Sequence, residues 1–410
     1  MQNVLGKYIF LILIFSAFSV TCPAWDEVGH KLTSIIAWER MTPEAREKAF
    51  MLLNSAPEDS DLNVHYNRFN SRSEAIKRLE LFMFAATWSD VVRDRSFDVR
   101  NKNYNQGDWH YADIFWKQEN GKAKILEDFP EESGKAIPKL YDFEKILRDP
   151  SYKDDEKAIA IAWFLHVGGD IHNPVHNASR ITENSPKGDQ GGNRFTFIPR
   201  TETQRGLNLH GYWDSIIGRR KPRKNDACDT DYLIPIARKI IKKFPYSKMR
   251  SRLKLGDYKK WNMEGFKLLN EVVYTPEISR NEMPSKKYRK RADRTAREQI
   301  ALAGYRLGET LNRIFAEKPI GESMGSPNNC LIIRKVLYPV SKRPTPDQEM
   351  RIALIDICPP NRGMVTRPTT PITVFGESAM FEYDVVRVFT TKKEAEEFAK
   401  KNKIKDSRYQ

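Results

Sequence analysis

The chain has 410 residues, of which 40% are apolar and 30% charged, and its formal net charge is +15. This composition can fill a sizeable core and excludes a chain that is disordered throughout. The length allows two domains, or one large domain with an appendage. After the first segment, no apolar run approaches the roughly 20 residues that span a bilayer.

Residues 1–24 have the layout of a cleaved secretory signal. Lys7 precedes an apolar run from Tyr8 to Val20, and small residues follow near Ala24. We predict cleavage after Ala24, which places Trp25 at the mature amino terminus and the protein outside the cytoplasm, either secreted or periplasmic. The alternative is a retained membrane anchor, for which the run is short. After processing we expect no stable membrane anchor.

Three cysteines remain beyond this segment, namely Cys228, Cys330 and Cys358. This odd number permits one disulfide, and Cys330 and Cys358 are the favoured pair because both lie in the terminal segment. None of the three has zinc-ribbon spacing. Any metal site must therefore use histidines and carboxylates.

Positive charge is concentrated in three runs, 219–224, 238–260 and 286–297. Such a field attracts polyanions, including nucleic acid. The alternative is the solvated surface of a basic secreted protein, and charge alone leaves both interpretations open.

Taken in order, residues 25–317 predict one mostly α-helical domain. Residues 97–116 are predicted to form an irregular loop, and 195–198 carry a short strand signal. Residues 318–329 are a linker, and 330–410 predict a small α/β appendage of unknown role. The strongest helical patterns cover 74–93, 137–148, 158–170, 230–244, 259–273 and 293–315. In the appendage we predict short strands at 331–333, 352–357, 372–375 and 383–389 and a closing helix at 391–402.

The segment 163–176 carries three histidines and an aspartate. His166 and Asp170 are four residues apart, so they project from one face of the predicted helix. That helix is apolar enough to be buried, and a metal ion is a suitable partner for two buried polar groups. Pro174 ends or bends the helix and turns His176 towards another side of the same pocket.

A second pair, His210 and Asp214, repeats the spacing of four. Two such pairs and a bent third histidine are hard to explain as ordinary core residues. Sites built from carboxylates and imidazoles suit Zn²⁺.

Together these motifs resemble the three-zinc, single-strand-specific nucleases. This family comprises the secreted fungal and plant type I nucleases and their bacterial and protozoan nuclease/3′-nucleotidase relatives, within the phospholipase C/nuclease superfamily. The segments that carry the resemblance are Trp25 to His30, Trp88 to Arg93, Trp109-His110-Tyr111, His166 to His176, Gly191-Gly192-Asn193, Asn208 to Asp214 and Leu302 to Gly308.

The resemblance implies three zinc ions per chain. The first would be held by Asp90, His110, His166 and Asp170. The second would be held by His176, His210 and Asp214. The third would share Asp170 with the first and add His30 and the amine and carbonyl of Trp25, which makes signal removal a condition for a complete site.

The resemblance also implies the reaction, which is hydrolysis of phosphodiester bonds in single-stranded DNA and RNA, and of 3′-nucleotides, to 5′-phosphorylated products by a metal-activated hydroxide. Asp90 and Asp170 would act at the metals, and Arg93 would clamp a phosphate. Of the substrate-binding residues, Tyr111 would stack on an unpaired base and Asp113 would contact its edge. Ordinary loop packing is the alternative for Tyr111 and Asp113.

Some residues of the motifs have other predicted roles. Asn193, in the Gly-Gly-Asn motif, is a further substrate-binding residue by resemblance. His172 matches no family ligand and is predicted to be structural or to support the ligands.

Two rival functions remain. A zinc-dependent phospholipase C would share the metal framework, but its last motif typically ends in Glu where this chain has Asp214. A polyanion or zinc binder without activity would need a degenerate site, and no ligand is missing here. The sequence does not indicate protein partners.

Overall fold

The computed structural model describes residues 25–64, 66, 72–120, 122–131, 133–199, 201, 206–220 and 229–316, and the backbone of strands within 330–389. The predicted signal segment, Cys228 and Cys358 lie outside these residues, so the Cys330–Cys358 disulfide stays a prediction. The chain divides into two compact units at Phe315.

The first unit is mainly helical, which confirms the predicted fold class. Its longest helices coincide with the predicted apolar patterns. The helices between residues 25 and 316 are α1 (Glu27–Arg40), α2 (Pro43–Asn54), α3 (Glu74–Val91), α4 (Asp98–Tyr104), α5 (Ala136–Arg148), α6 (Asp154–Asp170), α7 (Leu209–Asp214), α8 (Ile216–Arg220), α9 (Asp229–Lys243), α10 (Tyr246–Met249), α11 (Tyr258–Leu268) and α12 (Lys286–Phe315).

Helix α6 lies at the centre of this unit. Its first turn is acidic, and the Glu156 carboxylate accepts a hydrogen bond from the Lys153 amide (2.9 Å), which satisfies one free amide at the helix start. From Ala160 to Asp170 every residue is buried, as expected for a helix that is apolar on all sides. A 3₁₀ turn over Pro174–His176 follows the helix end.

Small residues let the neighbouring helices approach one another. A Cβ atom at Gly304 of α12 would lie 2.6 Å from the Ile36 Cβ atom of α1, and one at Gly308 would lie 2.6 Å from the Ala37 carbonyl oxygen. Such distances are too short for any larger side chain, so these glycines set the separation of α1 and α12.

Short strands complete the unit. β1 (Ile114–Glu119) pairs antiparallel with β2 (Lys122–Ile125) and parallel with β3 (Ala178–Arg180), with Ile114 opposite Ala178. β4 (Thr196–Ile198) and β5 (Leu207–Asn208) form a second, antiparallel pair. The pairing of β1 with β3 joins the segment after His110 to the segment after His176.

The prediction of an irregular loop over 97–116 is wrong in part, because Asp98–Tyr104 forms α4 and β1 begins at Ile114. The sequence of helix α4 does not repeat apolar residues at helical spacing. It is held by tertiary bonds from its polar side chains, since Asn101 Nδ2 donates to the Val92 carbonyl (2.9 Å) and Arg100 Nη1 pairs with Asp61 Oδ2 (3.0 Å).

Helix α12 starts seven residues earlier than the predicted 293, because Ser285 Oγ accepts from the Tyr288 amide (3.0 Å) and caps it. Among the described residues, no helix combines the length and apolar character needed to cross a bilayer.

The second unit contains an antiparallel sheet of order β7-β6-β8, made of β6 (Cys330–Pro339), β7 (Arg351–Leu354) and β8 (Ala379–Phe389). These strands overlap three of the four predicted for the appendage. The predicted linker at 318–329, the strand at 372–375 and the helix at 391–402 lie outside the described residues.

Candidate metal centre

The centre is built where α6 ends. His166 and Asp170 project from one face of the helix, one turn apart, and both are fully buried. His176 follows on the 3₁₀ turn and is also buried. The bend at Pro174 therefore brings three of the predicted ligands to one region.

The Asp170 carboxylate has imidazoles beside both of its oxygens. Its Oδ1 lies 3.1 Å from His30 Nε2. Its Oδ2 lies 3.2 Å from His110 Nδ1 and 3.4 Å from His166 Nε2. The two oxygens of one carboxylate are thus oriented as a bridge between two neighbouring positions.

Asp90, near the end of α3, completes the larger group. Its Oδ1 lies 3.9 Å from His110 Nδ1 and 3.8 Å from His166 Nε2. Arg93 Nη1 lies 3.4 Å from the same oxygen, and its side chain is partly exposed. A guanidinium at this place can contact an anion that approaches Asp90 from solvent.

A second group forms between His176, His210 and Asp214. The two histidine Nε2 atoms lie 3.6 Å and 3.5 Å from the two oxygens of Asp214. Asn173, which the sequence analysis did not single out, donates to Asp214 Oδ1 (2.8 Å) and orients this carboxylate.

Backbone carbonyls set the tautomers of three ligands. Because a carbonyl only accepts, the Nδ1 atoms of these rings must carry the hydrogen, and Nε2 presents its lone pair to the carboxylates. The bonds are His166 Nδ1 to Ala86 O (2.8 Å), His176 Nδ1 to His110 O (2.9 Å) and His210 Nδ1 to Gly191 O (3.2 Å).

The donor set fits zinc. Ligand atoms about 2.0–2.2 Å from a tetrahedral zinc lie about 3.2–3.6 Å from each other, and most of the separations above are close to this. Within each of three overlapping groups, the ligand atoms lie within 4.8 Å of one another: His30, His166 and Asp170; Asp90, His110 and His166; and His176, His210 and Asp214.

Several buried polar atoms in these groups have no hydrogen-bond partner among the described residues. Unpartnered buried polar atoms are costly, and cations held between the ligands would satisfy those that face one another, which are His30 Nε2, His176 Nε2 and the two Asp170 oxygens. The unpartnered atoms include both ring nitrogens of His30, Nε2 of His110, Nε2 of His176 and both oxygens of Asp170.

Burial shifts the imidazoles towards the neutral form that binds metals. It lowers the pKa of His30 and His166 to about 3 and that of His210 to about 4. The pKa values of His110 and His176 also fall well below the usual range, chiefly through burial. Neutral rings with defined tautomers are ready ligands.

The carboxylates shift the other way. Burial raises the pKa of Asp170 to about 7 and that of Asp90 to about 8, the latter also through repulsion from Asp170. Without a cation these acids would hold protons near neutral pH, and a divalent cation reverses that preference.

Trp25 contacts the end of α6, and the residue after it contacts α7. Its side chain is fully buried, and its indole Nε1 donates to the Gly169 carbonyl (3.0 Å). The next amide, of Asp26, donates to the Asp214 carbonyl (3.0 Å). A Cβ atom at Gly29 would lie 2.8 Å from Trp25 Cβ, so that glycine makes room for the indole.

The predicted substrate residues lie on loops beside the centre. Tyr111 and Asp113 follow His110 and are half-buried, and the Ala112 amide between them donates to the His176 carbonyl (3.0 Å). Partial burial, with repulsion from Asp189, raises the pKa of Asp113 well above its usual range.

Asn193 is half-buried on the loop after the paired glycines. Its Oδ1 accepts from Asn208 Nδ2 (3.2 Å), which ties this loop to the start of α7.

His172 has both ring nitrogens occupied by protein. Nδ1 donates to the Gly168 carbonyl (2.6 Å), and Nε2 accepts from Arg306 Nη1 (2.9 Å). This agrees with the structural role predicted for it.

Comparison with known families places these observations in context. A family model described as S1/P1 nuclease matches residues 25–316, well over half of the chain. Among curated proteins no relative matches.

Proposed function

The chain belongs to the S1/P1 nuclease family, and we propose that it is a secreted, zinc-dependent endonuclease and 3′-nucleotidase that cleaves single-stranded DNA and RNA to 5′-phosphorylated products. The observation that carries this proposal is the Asp170 carboxylate, whose two oxygens face different imidazoles at 3.1–3.4 Å. A bridging acid of this kind suits two cations held side by side.

Three zinc ions would be held by the groups that surround Asp170 and Asp214. Zinc at these positions supplies Lewis acidity, which lowers the pKa of water and withdraws charge from a phosphoryl group. The first set is Asp90, His110, His166 and Asp170; the second is His176, His210 and Asp214; the third is Asp170, His30 and the backbone amine and carbonyl of Trp25.

The remaining residues would bind and orient the substrate. The Arg93 guanidinium, beside Asp90, would form charge-assisted hydrogen bonds with a phosphate. Tyr111 would stack on a base, and Asp113 would contact the edge of that base. Asn193 would donate a hydrogen bond from its side-chain amide to the bound nucleotide. A base inside a duplex offers no free face, so stacking selects single strands.

Secretion is supported by the place of Trp25. Trp25 is buried against the end of α6, and the amine by which it would hold zinc becomes free only when residues 1–24 are removed. Export and activation of the site would then be one event.

The test uses protein recovered after export. We expect three zinc ions per chain by metal analysis, release of acid-soluble nucleotide from single-stranded DNA and RNA, and loss of this release with a chelator. Phosphatidylcholine is assayed beside nucleic acid. Lipid turnover without nucleotide release would overturn the proposal in favour of a phospholipase C, and chelator-resistant nucleotide release would overturn the role of zinc.

A further inference from the structure

An aromatic side chain is exposed on the segment that connects α3 to α4. Phe97 is 52% exposed, and Val99, two residues later, is 60% exposed. Single exposed apolar side chains are common on protein surfaces. These two lie within ten residues of Asp90 and Arg93 of the metal centre in the chain.

The ring of Phe97 is held in place from one side. The Arg100 guanidinium carbon lies 4.2 Å from the ring centroid. Arg100 is itself buried, pairs with Asp61 Oδ2 (3.0 Å) and donates to the Val91 carbonyl (3.3 Å). A buried, fixed cation thus supports one ring face, while the exposed fraction of the residue leaves the other face open to solvent.

The segment is compact and lies near the phosphate-binding arginine. Phe97 follows Arg93 by four residues, so their Cα atoms lie within about 14 Å of each other. Turn hydrogen bonds shorten the path, with the Asp94 amide donating to Val91 O (3.2 Å) and the Phe97 amide donating to Asp94 O (3.3 Å). Phe97 is therefore within reach of the nucleotides next to one held at Arg93.

The local charge suits a polyanion. Of the four basic side chains in residues 93–102, Arg100 is paired with Asp61, which leaves Arg93, Arg95 and Lys102 against Asp94 and Asp98, a net charge of +1. An aromatic ring among basic residues is the usual platform for single-stranded nucleic acid, because every base has a face that can stack.

We propose that Phe97 forms a second base-stacking subsite, which binds a nucleobase of single-stranded nucleic acid next to the nucleotide cleaved at the metal centre. The proposal deepens the nuclease function and rests on it. It also gives a reason for the pairing of the buried Arg100 with Asp61, which fixes the ring and reduces the entropy lost when a base stacks on it.

The test compares a long and a short substrate in zinc-loaded enzyme. Phe97→Ala should raise KM for a single-stranded octanucleotide about 10-fold, with kcat unchanged, because stacking contributes to binding in both ground and transition states. Hydrolysis of a 3′-mononucleotide, whose single base would occupy the Tyr111 platform, should be unchanged. Phe97→Trp should restore the wild-type KM, whereas Phe97→Leu should not.

Tyr141→Ala is the matched control, since Tyr141 is also an exposed aromatic (41%) but belongs to α5, where its ring packs against that of Tyr258 (centroids 4.8 Å apart). It should leave KM for the octanucleotide unchanged. An unchanged KM in Phe97→Ala would overturn the subsite. Equal losses on the long and short substrates would also overturn it, since they would indicate that Phe97 supports the metal centre. Failure of the nuclease function itself is recognised separately, as absence of hydrolysis by the wild-type enzyme.

Discussion

His166 and His172 lie six residues apart, are both buried and both have pKa values lowered by burial, yet their surroundings differ in one respect. Protein atoms occupy both ring nitrogens of His172. At His166 a carbonyl accepts from Nδ1, while Nε2 lies 2.9 Å from His110 Nδ1 and 3.4 Å from Asp170 Oδ2, so its neighbours are other predicted metal ligands and not the guanidinium that Nε2 of His172 contacts. The first cluster is complete as protein, and the second is arranged around a cation.

The complete cluster depends on Arg306. This guanidinium is fully buried and donates to His172 Nε2, to the Leu253 carbonyl (3.0 Å) and to Glu264 Oε2 (2.6 Å). Burial lowers the pKa of Arg306 only to about 10, so it stays charged at neutral pH. Burial alone therefore does not identify a ligand histidine. The partners of each ring nitrogen do.

The largest expected effect is on activity, and it distinguishes the metal centre from the His172 cluster. Asp170→Asn removes the charge that both metal positions share, and kcat/KM should fall at least about 1,000-fold, since metal ions contribute several kcal/mol to such transition states. The measurement is steady-state hydrolysis of single-stranded DNA together with zinc content, which should also fall.

His172→Gln is the control for this change, because its amide can donate to the Gly168 carbonyl and accept from Arg306. It should keep its zinc and most of its activity. Full zinc content and activity in Asp170→Asn would contradict the bridging role.

The second effect is on stability. His172→Ala leaves Arg306 Nη1 buried without its acceptor and should lower the free energy of unfolding by about 1–3 kcal/mol. Zinc content should not change, which distinguishes this cluster from the metal centre. Denaturant unfolding of the zinc-loaded protein measures the loss, and His172→Gln should recover part of it. Loss of zinc in His172→Ala would show that the two clusters are not separate.

Much of this contrast can be predicted from the sequence, and the rest depends on tertiary contacts. The spacing of His166 and Asp170 on an apolar helix predicts a shared face, because helical geometry is local. The partners of the ring nitrogens of His166 and His172 include Ala86, Gly168 and Arg306. Ala86 and Arg306 are distant in sequence from these rings, and Gly168 is an ordinary helix residue.

The same distinction applies to the fold. Helix α6 could be predicted from its own apolar composition. Helix α4 could not, because it is held by Asn101 and Arg100 through contacts with the end of α3 and with Asp61. The pairing of β1 with β3 is likewise set by segments more than 50 residues apart, and neither strand has a pattern long enough to predict it.

The smallest expected effect is on the pH dependence of stability. In the metal-free folded chain the pKa values of Asp170 and Asp90 are raised to about 7 and about 8, against about 3.9 when unfolded. Between these values the folded state binds more protons than the unfolded state, so stability falls as pH rises and the fall is complete above about pH 9. The buried imidazoles act in the opposite direction, but only below about pH 6.5, where the unfolded rings gain protons.

From pH 7.5 to 9 the carboxylates therefore dominate the difference between the two forms. The chelated protein should lose about 1 kcal/mol more than the zinc-loaded protein, a drop in Tm of about 2–4 °C, because bound zinc keeps both acids ionised throughout. Thermal unfolding of both forms in one buffer series measures the gap. Other titrating groups, such as Glu39, whose pKa burial raises to about 7, contribute equally to both forms. Parallel curves of Tm against pH for the two forms would mean that Asp90 and Asp170 do not face the cations. The proposed difference between the metal centre and the His172 cluster would then be contradicted.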